Sequence, residues 1–326
     1  IVSPEEQRVL LRISTDGGQP NLVIDSPWIT SIERITAEGR TPAHNHGGIH
    51  VLDISGYSGD IFLEMTGIFF LSPLQIEFRN WDETQRLFSR RFAFLGFFFA
   101  ILLFAVFNTV TLYVALRDTI NLFFVAYVLP AAGYFFLRNG IWNQFFLDLG
   151  ITSENLLRAV LFMANGALVG IYLFAHRFLH FKYFILPRAL SSICFAAALI
   201  YPIVLFYFFD LSRVWLVING LVLIGITVTT ASVLAWKKQK NGRIFIEAVS
   251  WLFAFNLLYQ MMLAGFLPHL GWLDYLPQLG FLAFVIRISY GLNQRIKDIN
   301  EQRMQAEAMT IETLRNRHTE HRLRLA

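Results

Sequence analysis

Beyond residue 91 the chain alternates long apolar runs with short polar breaks. The runs fall at about 92–116, 119–137, 159–175, 189–209, 214–236, 244–267 and 275–292. Each approaches the roughly 20 residues that carry a helix across the ~30 Å hydrocarbon core of a bilayer. Hydrocarbon offers no partner to a free N–H or C=O, so such runs must close their backbone hydrogen bonds internally, as helices. Seven spanning helices are expected.

The pattern before residue 92 is different. Short β-type runs at 9–14, 21–24, 29–35, 50–54, 60–65 and 73–78 alternate with clusters of Gly, Pro, Asn and Asp. This predicts a small β-rich domain, or part of one. After the last run, Leu292, Ile296 and Ile299 start a 4–3 apolar spacing in a charged segment. A second register, through Ile311, Leu314, His318, His321 and Leu325, follows a shift near Arg303–Met304. Such a shift locally unwinds a coiled coil, and the pattern predicts a two-helix stalk, with a single solvated helix as the plainer reading. The expected architecture is a β-rich domain over 1–91, an all-α membrane bundle over 92–292 and a helix over 293–326. No processing signal precedes Ile1 and the chain stops inside a helical pattern, so both ends are expected to be trimmed.

Composition agrees with a membrane protein. Of 326 residues, 55% are hydrophobic and 15% charged, including 33 Phe; soluble domains carry about 25% charged residues. The net charge of +4 is distributed through loops, as a topology signal rather than a nucleic-acid face. Arg117, Arg177, Lys182, Arg188, Lys237, Lys238, Lys240 and Arg243 occupy the first, third and fifth breaks. Only Arg138, Arg158 and Arg213 occupy the second, fourth and sixth. Eight against three puts the odd breaks and the C-terminus in the cytoplasm and the β-rich domain outside. Arg86, Arg90 and Arg91 oppose this, but long translocated domains override local charge. Trp142, Trp215, Trp236 and Trp272 stand near span ends, as interface anchors do.

Several chemistries are excluded or weak. A retinal Schiff base needs a Lys in the last span, and all five Lys lie outside the spans. A proton relay needs intramembrane carboxylates; the spans hold Glu247 and the neutral Asn108, Asn165, Asn219, Asn256 and Gln260. Neutral amides are more often interhelical contacts than a conduction path. The single Cys194 permits neither a disulfide framework nor a Cys-based metal site. His44, His46 and His50, in a Gly-containing segment read as a flexible loop, form a candidate zinc or copper set against an ordinary exposed loop. No HExxH, GxSxG or glycine-rich phosphate loop occurs, so no active site and no cofactor are expected in these residues. Trp28, Glu33, Glu38 and Trp81 are candidate ligand contacts, because aromatic faces beside carboxylates suit sugars. The bundle shows no converging charges, so an external ligand is expected at the β-rich domain rather than deep in the spans.

Phe94-Leu95-Gly96, Val106-Phe107-Asn108, Leu116-Arg117-Asp118, Asn121-Leu122-Phe123-Phe124 and Asn139-Gly140-Ile141-Trp142 together resemble a family. It is that of bacterial seven-transmembrane receptors with diverse intracellular signalling modules. His176-Arg177-Phe178-Leu179, Leu186-Pro187-Arg188 and Leu292-Asn293-Gln294-Arg295-Ile296 fit the same pattern. Residues 22–28, 60–64 and 72–74 are similar to strands of that family's extracellular jelly-roll domain. The resemblance implies a carbohydrate-like or protein ligand outside and a cytoplasmic output, commonly a histidine kinase or a diguanylate cyclase. The closing Glu320-His321-Arg322-Leu323-Arg324-Leu325-Ala326 resembles the stretch before the phosphoacceptor His of one kinase class. The resemblance therefore implies a homodimer through the C-terminal helix. A membrane scaffold that binds a partner through its β domain is the alternative.

The charge bias yields the first test. Single-Cys variants in the 139–155 and 237–243 segments are treated, in intact cells, with an impermeant thiol reagent. Only the first reacts; the reverse pattern overturns the orientation.

Overall fold

The computed structural model describes residues 7–15, 21–25, 29–36, 39–46, 49–54, 59–67, 75–140, 153–181, 185–268 and 272–325. Eight strands come first: β1 (Gln7–Thr15), β2 (Asn21–Asp25), β3 (Ile29–Thr36), β4 (Gly39–Pro42), β5 (His44–His46), β6 (Ile49–Asp53), β7 (Gly59–Gly67) and β8 (Gln75–Arg79). They form two four-stranded antiparallel sheets, ordered β1-β7-β3-β4 and β5-β6-β2-β8. Two sheets of this size match the strand count of a jelly roll. Period-two alternation supplies the core: Leu22, Ile24 and Leu52 of one sheet meet Ile32, Ile61, Leu63 and Met65 of the other.

The six strands expected from sequence are all present, with ends shifted by at most two residues. The His44–His50 segment differs from expectation. It is the hairpin of β5 and β6, with His44 opposite Val51, Asn45 opposite His50 and His46 opposite Ile49. The alternation around Gly47-Gly48 is too short to read from sequence.

Among the described residues seven α-helices follow: α1 (Trp81–Leu116), α2 (Thr119–Arg138), α3 (Ser153–Phe178), α4 (Ile185–Tyr207), α5 (Phe209–Trp236), α6 (Lys240–Leu263) and α7 (Leu276–Leu325). All seven are long and apolar enough to cross a membrane. They pack in chain order, and α7 closes the set against α1 and α2. Two helices exceed the expected spans. α1 begins at Trp81, so its first three turns, on the β-domain side, precede the apolar run that starts at residue 92; acidic Asp82 and Glu83 suit the positive end of its dipole. α7 runs unbroken for 50 residues, about 75 Å, through the last span and the segment expected as a separate helix. Trp236 and Trp272 are exposed, whereas Trp215 packs against the α3–α4 cluster; Trp142 lies outside the described residues.

Lipid is as apolar as Leu, so the bundle is held by close packing rather than by expulsion of water. Phe98 of α1, Phe135 of α2 and Phe281 of α7 form a ring trio, with centroids 5.3–6.4 Å apart; each such pair is worth about 0.5–1.5 kcal/mol beyond burial. Gly166 and Gly170, spaced as a small-xxx-small pair, bring α3 against the Pro130 turn of α2. Asn165 Nδ2 donates to Ala198 O (2.9 Å) and Asn219 Nδ2 to Cys194 O (3.1 Å), joining α3 to α4 and α5 to α4.

A Cβ at Gly170 would stand 2.4 Å from Tyr127 Cα and 2.5 Å from Ala126 O, both backbone atoms. Gly170→Ala must force the helices apart and should cost about 1–3 kcal/mol. Gly96→Ala, where a Cβ meets nothing within 4 Å, should be neutral or stabilise by up to about 1 kcal/mol. Melting of the purified protein in detergent checks the pair; an unshifted Gly170→Ala variant would contradict this packing.

Candidate functional site

The candidates read from sequence scatter. Trp28 and Glu38 lie outside the described residues, as does the His46 side chain. Glu33, on β3, faces outward from the first sheet, where Arg40 bridges it (3.1 Å) to Glu64 (2.8 Å). Trp81 is the first residue of α1 and half exposed. The other sheet's outer face, through Val23, Ile49 and Val51, packs on Leu87 and Phe88 of α1. The sandwich core therefore separates Glu33 from α1, and Glu33 and Trp81 do not share a surface. His50 is opposite Ile24 on the buried inner face, whereas His44 shares the other face with Val51 and is exposed. Those two imidazoles cannot converge on one ion, and no cluster of three metal-ligating side chains exists among the described residues.

What converges instead are helix termini. At the β-domain end, Gly140 in the left-handed region (φ 71°) stops α2. The preceding Asn139 is a junction: Arg91 Nη2 of α1 donates to its carbonyl (2.9 Å), and its side-chain amide meets that of Gln278 of α7 (3.0 Å). Asn139 Nδ2 also donates to Phe135 O (2.6 Å). One residue thus links α1, α2 and α7 just below the docked β domain.

The opposite end repeats the device. Arg117 takes a left-handed conformation (φ 55°) that ends α1, and its N–H donates to Tyr113 O (2.7 Å). Asp118 caps α2 by accepting from Ile120 N (3.1 Å), and its other oxygen lies 3.6 Å from Arg295 Nη2 of α7. One turn pair higher on α7, Arg287 donates Nε (2.8 Å) and Nη2 to Glu247 of α6. The sequence reading singled out Glu247 but missed Arg287, its cation in the seventh span. An isolated Arg inside an otherwise apolar run was the available signal.

Between these ends lies a cavity of about 370 Å³ bounded by α2, α3, α5, α6 and α7. It is lined mainly by aromatic and aliphatic side chains, with Arg138 at its β-domain end. Arg138 donates to the hydroxyls of Tyr259 (3.1 Å) and Tyr134 (3.4 Å). Arg138 is the single charged side chain among the described lining residues.

The model of the 7TM diverse intracellular signalling family matches residues 91–295. The chain belongs to this family. No curated protein and no solved structure matches it. The matched region begins at Arg91 and ends at Arg295, the residues that tie α1 to Asn139 and α7 to Asp118. Two of the segments that carried the family resemblance, Leu116-Arg117-Asp118 and Asn139-Gly140, are thus the helix stops that hold α7 at its two levels. This member of the 7TM signalling family is a transmembrane signalling receptor embedded in a bilayer.

Removing either partner of the Glu247–Arg287 pair leaves a lone charge against lipid. Both groups are partly exposed and off the bilayer centre, so each single change, Glu247→Gln or Arg287→Gln, should cost about 1–2 kcal/mol. The double variant should lose less than the sum. A thermal-stability cycle in nanodiscs checks this; strict additivity would show that the pair is not coupled.

Proposed function

We propose that this receptor senses an extracytoplasmic ligand with its β domain and passes the signal along α7 to a cytoplasmic histidine kinase. The observation that carries the reading is the unbroken α7, about 75 Å long against a core of ~30 Å. A helix that leaves the bundle without a break transmits a shift or rotation rather than absorbing it. The loop charge bias of eight to three supports a β domain outside and an α7 end inside.

The input path follows the contacts. Ligand binding that moves the β sandwich bears on Leu87 and Phe88, and so on the first turns of α1. Arg91, Asn139 and Gln278 convey that displacement to the start of α7. Asp118–Arg295 and Glu247–Arg287 guide its exit. The signal is then a redistribution between two packings of α7, biased by whichever one the ligand favours. With one sheet face on α1, the opposite face, bearing Glu33, Arg40 and Glu64, is the surface left for a carbohydrate-like ligand. A homodimer through the α7 extension gives such a redistribution a partner helix, and the resemblance of the 320–326 segment favours a kinase over a diguanylate cyclase.

Incubating the full-length protein with labelled ATP tests the output. The expected product is an acid-labile, base-stable phosphohistidine. Cyclic dinucleotide formed from GTP, with no phosphohistidine, would sink the kinase assignment.

A further inference from the structure

The cavity has one polar end. Arg138 closes the β-domain end, and a guanidinium has five N–H donors in a fixed fork. Its hydrogen-bond partners among the described residues are the two phenol oxygens, and the described lining contains no carboxylate. Asp274, on the 3-10 turn before α7, interacts with Tyr259 but does not line the cavity. Elsewhere in the lining, two polar side chains donate within their own helices: Thr227 Oγ1 to Leu223 O (3.0 Å) and Asn256 Nδ2 to Leu252 O (2.7 Å). The rest of the wall is aliphatic and aromatic, down to Tyr127 and Phe284. Along α2, Tyr127 lies about 16 Å below Arg138.

Three features select the occupant. The volume of about 370 Å³ falls in the range of small-molecule sites, about 300–1,000 Å³; it is too small for a two-chain phospholipid. The charge at the polar end is a single guanidinium, which a carboxylate neutralises, whereas a phosphate monoester carries about −1.5 to −2. Ile224 of α5 and Phe253 of α6 line the cavity and are also exposed on the bundle surface, 36% and 51%. The cavity therefore opens sideways between α5 and α6, where lipid lies. Its polar end is level with one bilayer interface and its apolar part lies deeper, as in an amphiphile in a leaflet.

We propose that the bundle cavity binds a single-chain amphiphilic carboxylate of the fatty-acid class, its headgroup on Arg138 and its chain among α2, α3, α6 and α7. The site is separate from the β domain and independent of the output assignment, because binding is read without any signalling activity. Charge-assisted bonds to a guanidinium at a desolvated site account for a roughly ten- to hundredfold preference for the anion over its ester.

The test uses the full chain in phosphatidylcholine nanodiscs and the fluorescent polyene cis-parinaric acid, with protein-free nanodiscs subtracted. Saturable binding at one site per chain is expected, displaced by oleate and at least tenfold less well by methyl oleate. Arg138→Met should weaken binding at least tenfold and Arg138→Lys less. Ala167→Phe, which fills the α3 wall without touching Arg138, should abolish it. Arg213→Met, on an arginine outside the cavity, should leave it unchanged. Melting curves separate misfolding from lost binding, and Ala167→Phe decides if Arg138→Met misfolds. Equal displacement by acid and ester would overturn the proposal. So would unaltered binding by the Ala167→Phe variant, or tenfold tighter displacement by a lysophosphatidic acid than by oleate.

Discussion

Hydrocarbon cannot hydrogen-bond, and most of this molecule follows from that constraint. It forces the apolar runs between residues 92 and 292 into helices and makes every polar side chain on them a matter of pairing. Asn165 and Asn219 reach carbonyls of the neighbouring α4, and the intramembrane Glu247 lies against Arg287. With no water to expel, helix contacts depend on how closely backbones approach. Gly166 and Gly170 let α3 lie against α2 at a distance that one added methyl would forbid.

The same constraint concentrates polar chemistry at the helix ends, where the last carbonyls and first N–H groups need partners. Two such ends have become joints. Asn139 and Gly140 stop α2 and hold Arg91 and Gln278; Arg117 and Asp118 turn α1 into α2 and hold Arg295. Both joints secure α7, the element that leaves the membrane as an unbroken rod. A bundle fastened at two levels to one projecting helix can convert a small displacement at the β domain into a change of that helix's position.

The β domain meets the bundle through a modest apolar patch, Val23, Ile49 and Val51 on Leu87 and Phe88, set on helix turns that precede the first apolar run. A small contact of this kind can shift without unfolding either part. The sandwich itself is secured by its own inter-sheet core and by surface pairs such as Arg12 with Asp60. There the guanidinium hydrogen bond holds the carboxyl below its usual range, and solvent screening keeps the contribution small.

Sequence alone determined the class of the fold. Seven runs of about 20 apolar residues leave helices as the sole solution in lipid, and period-two alternation with turn residues marks strands, so those features are local and legible. The family was readable too, because its turn segments are short and contiguous. Local pattern did not show that α1 begins at Trp81, ahead of its apolar run, nor that the helix expected over 293–326 continues the last span without a break, since charged residues support a solvated helix as readily as a loop. Nor could it show that His44 and His50 face opposite ways, which a strand pairing across Gly47-Gly48 decides. Arg287 was visible but unassigned, because its partner Glu247 lies 40 positions earlier in the chain. Arg138 looked like a loop charge until α2, α3, α5, α6 and α7 enclosed a cavity beneath it. Pairings and cavities arise between segments distant in sequence, so only the tertiary packing that brings those helices together could decide them.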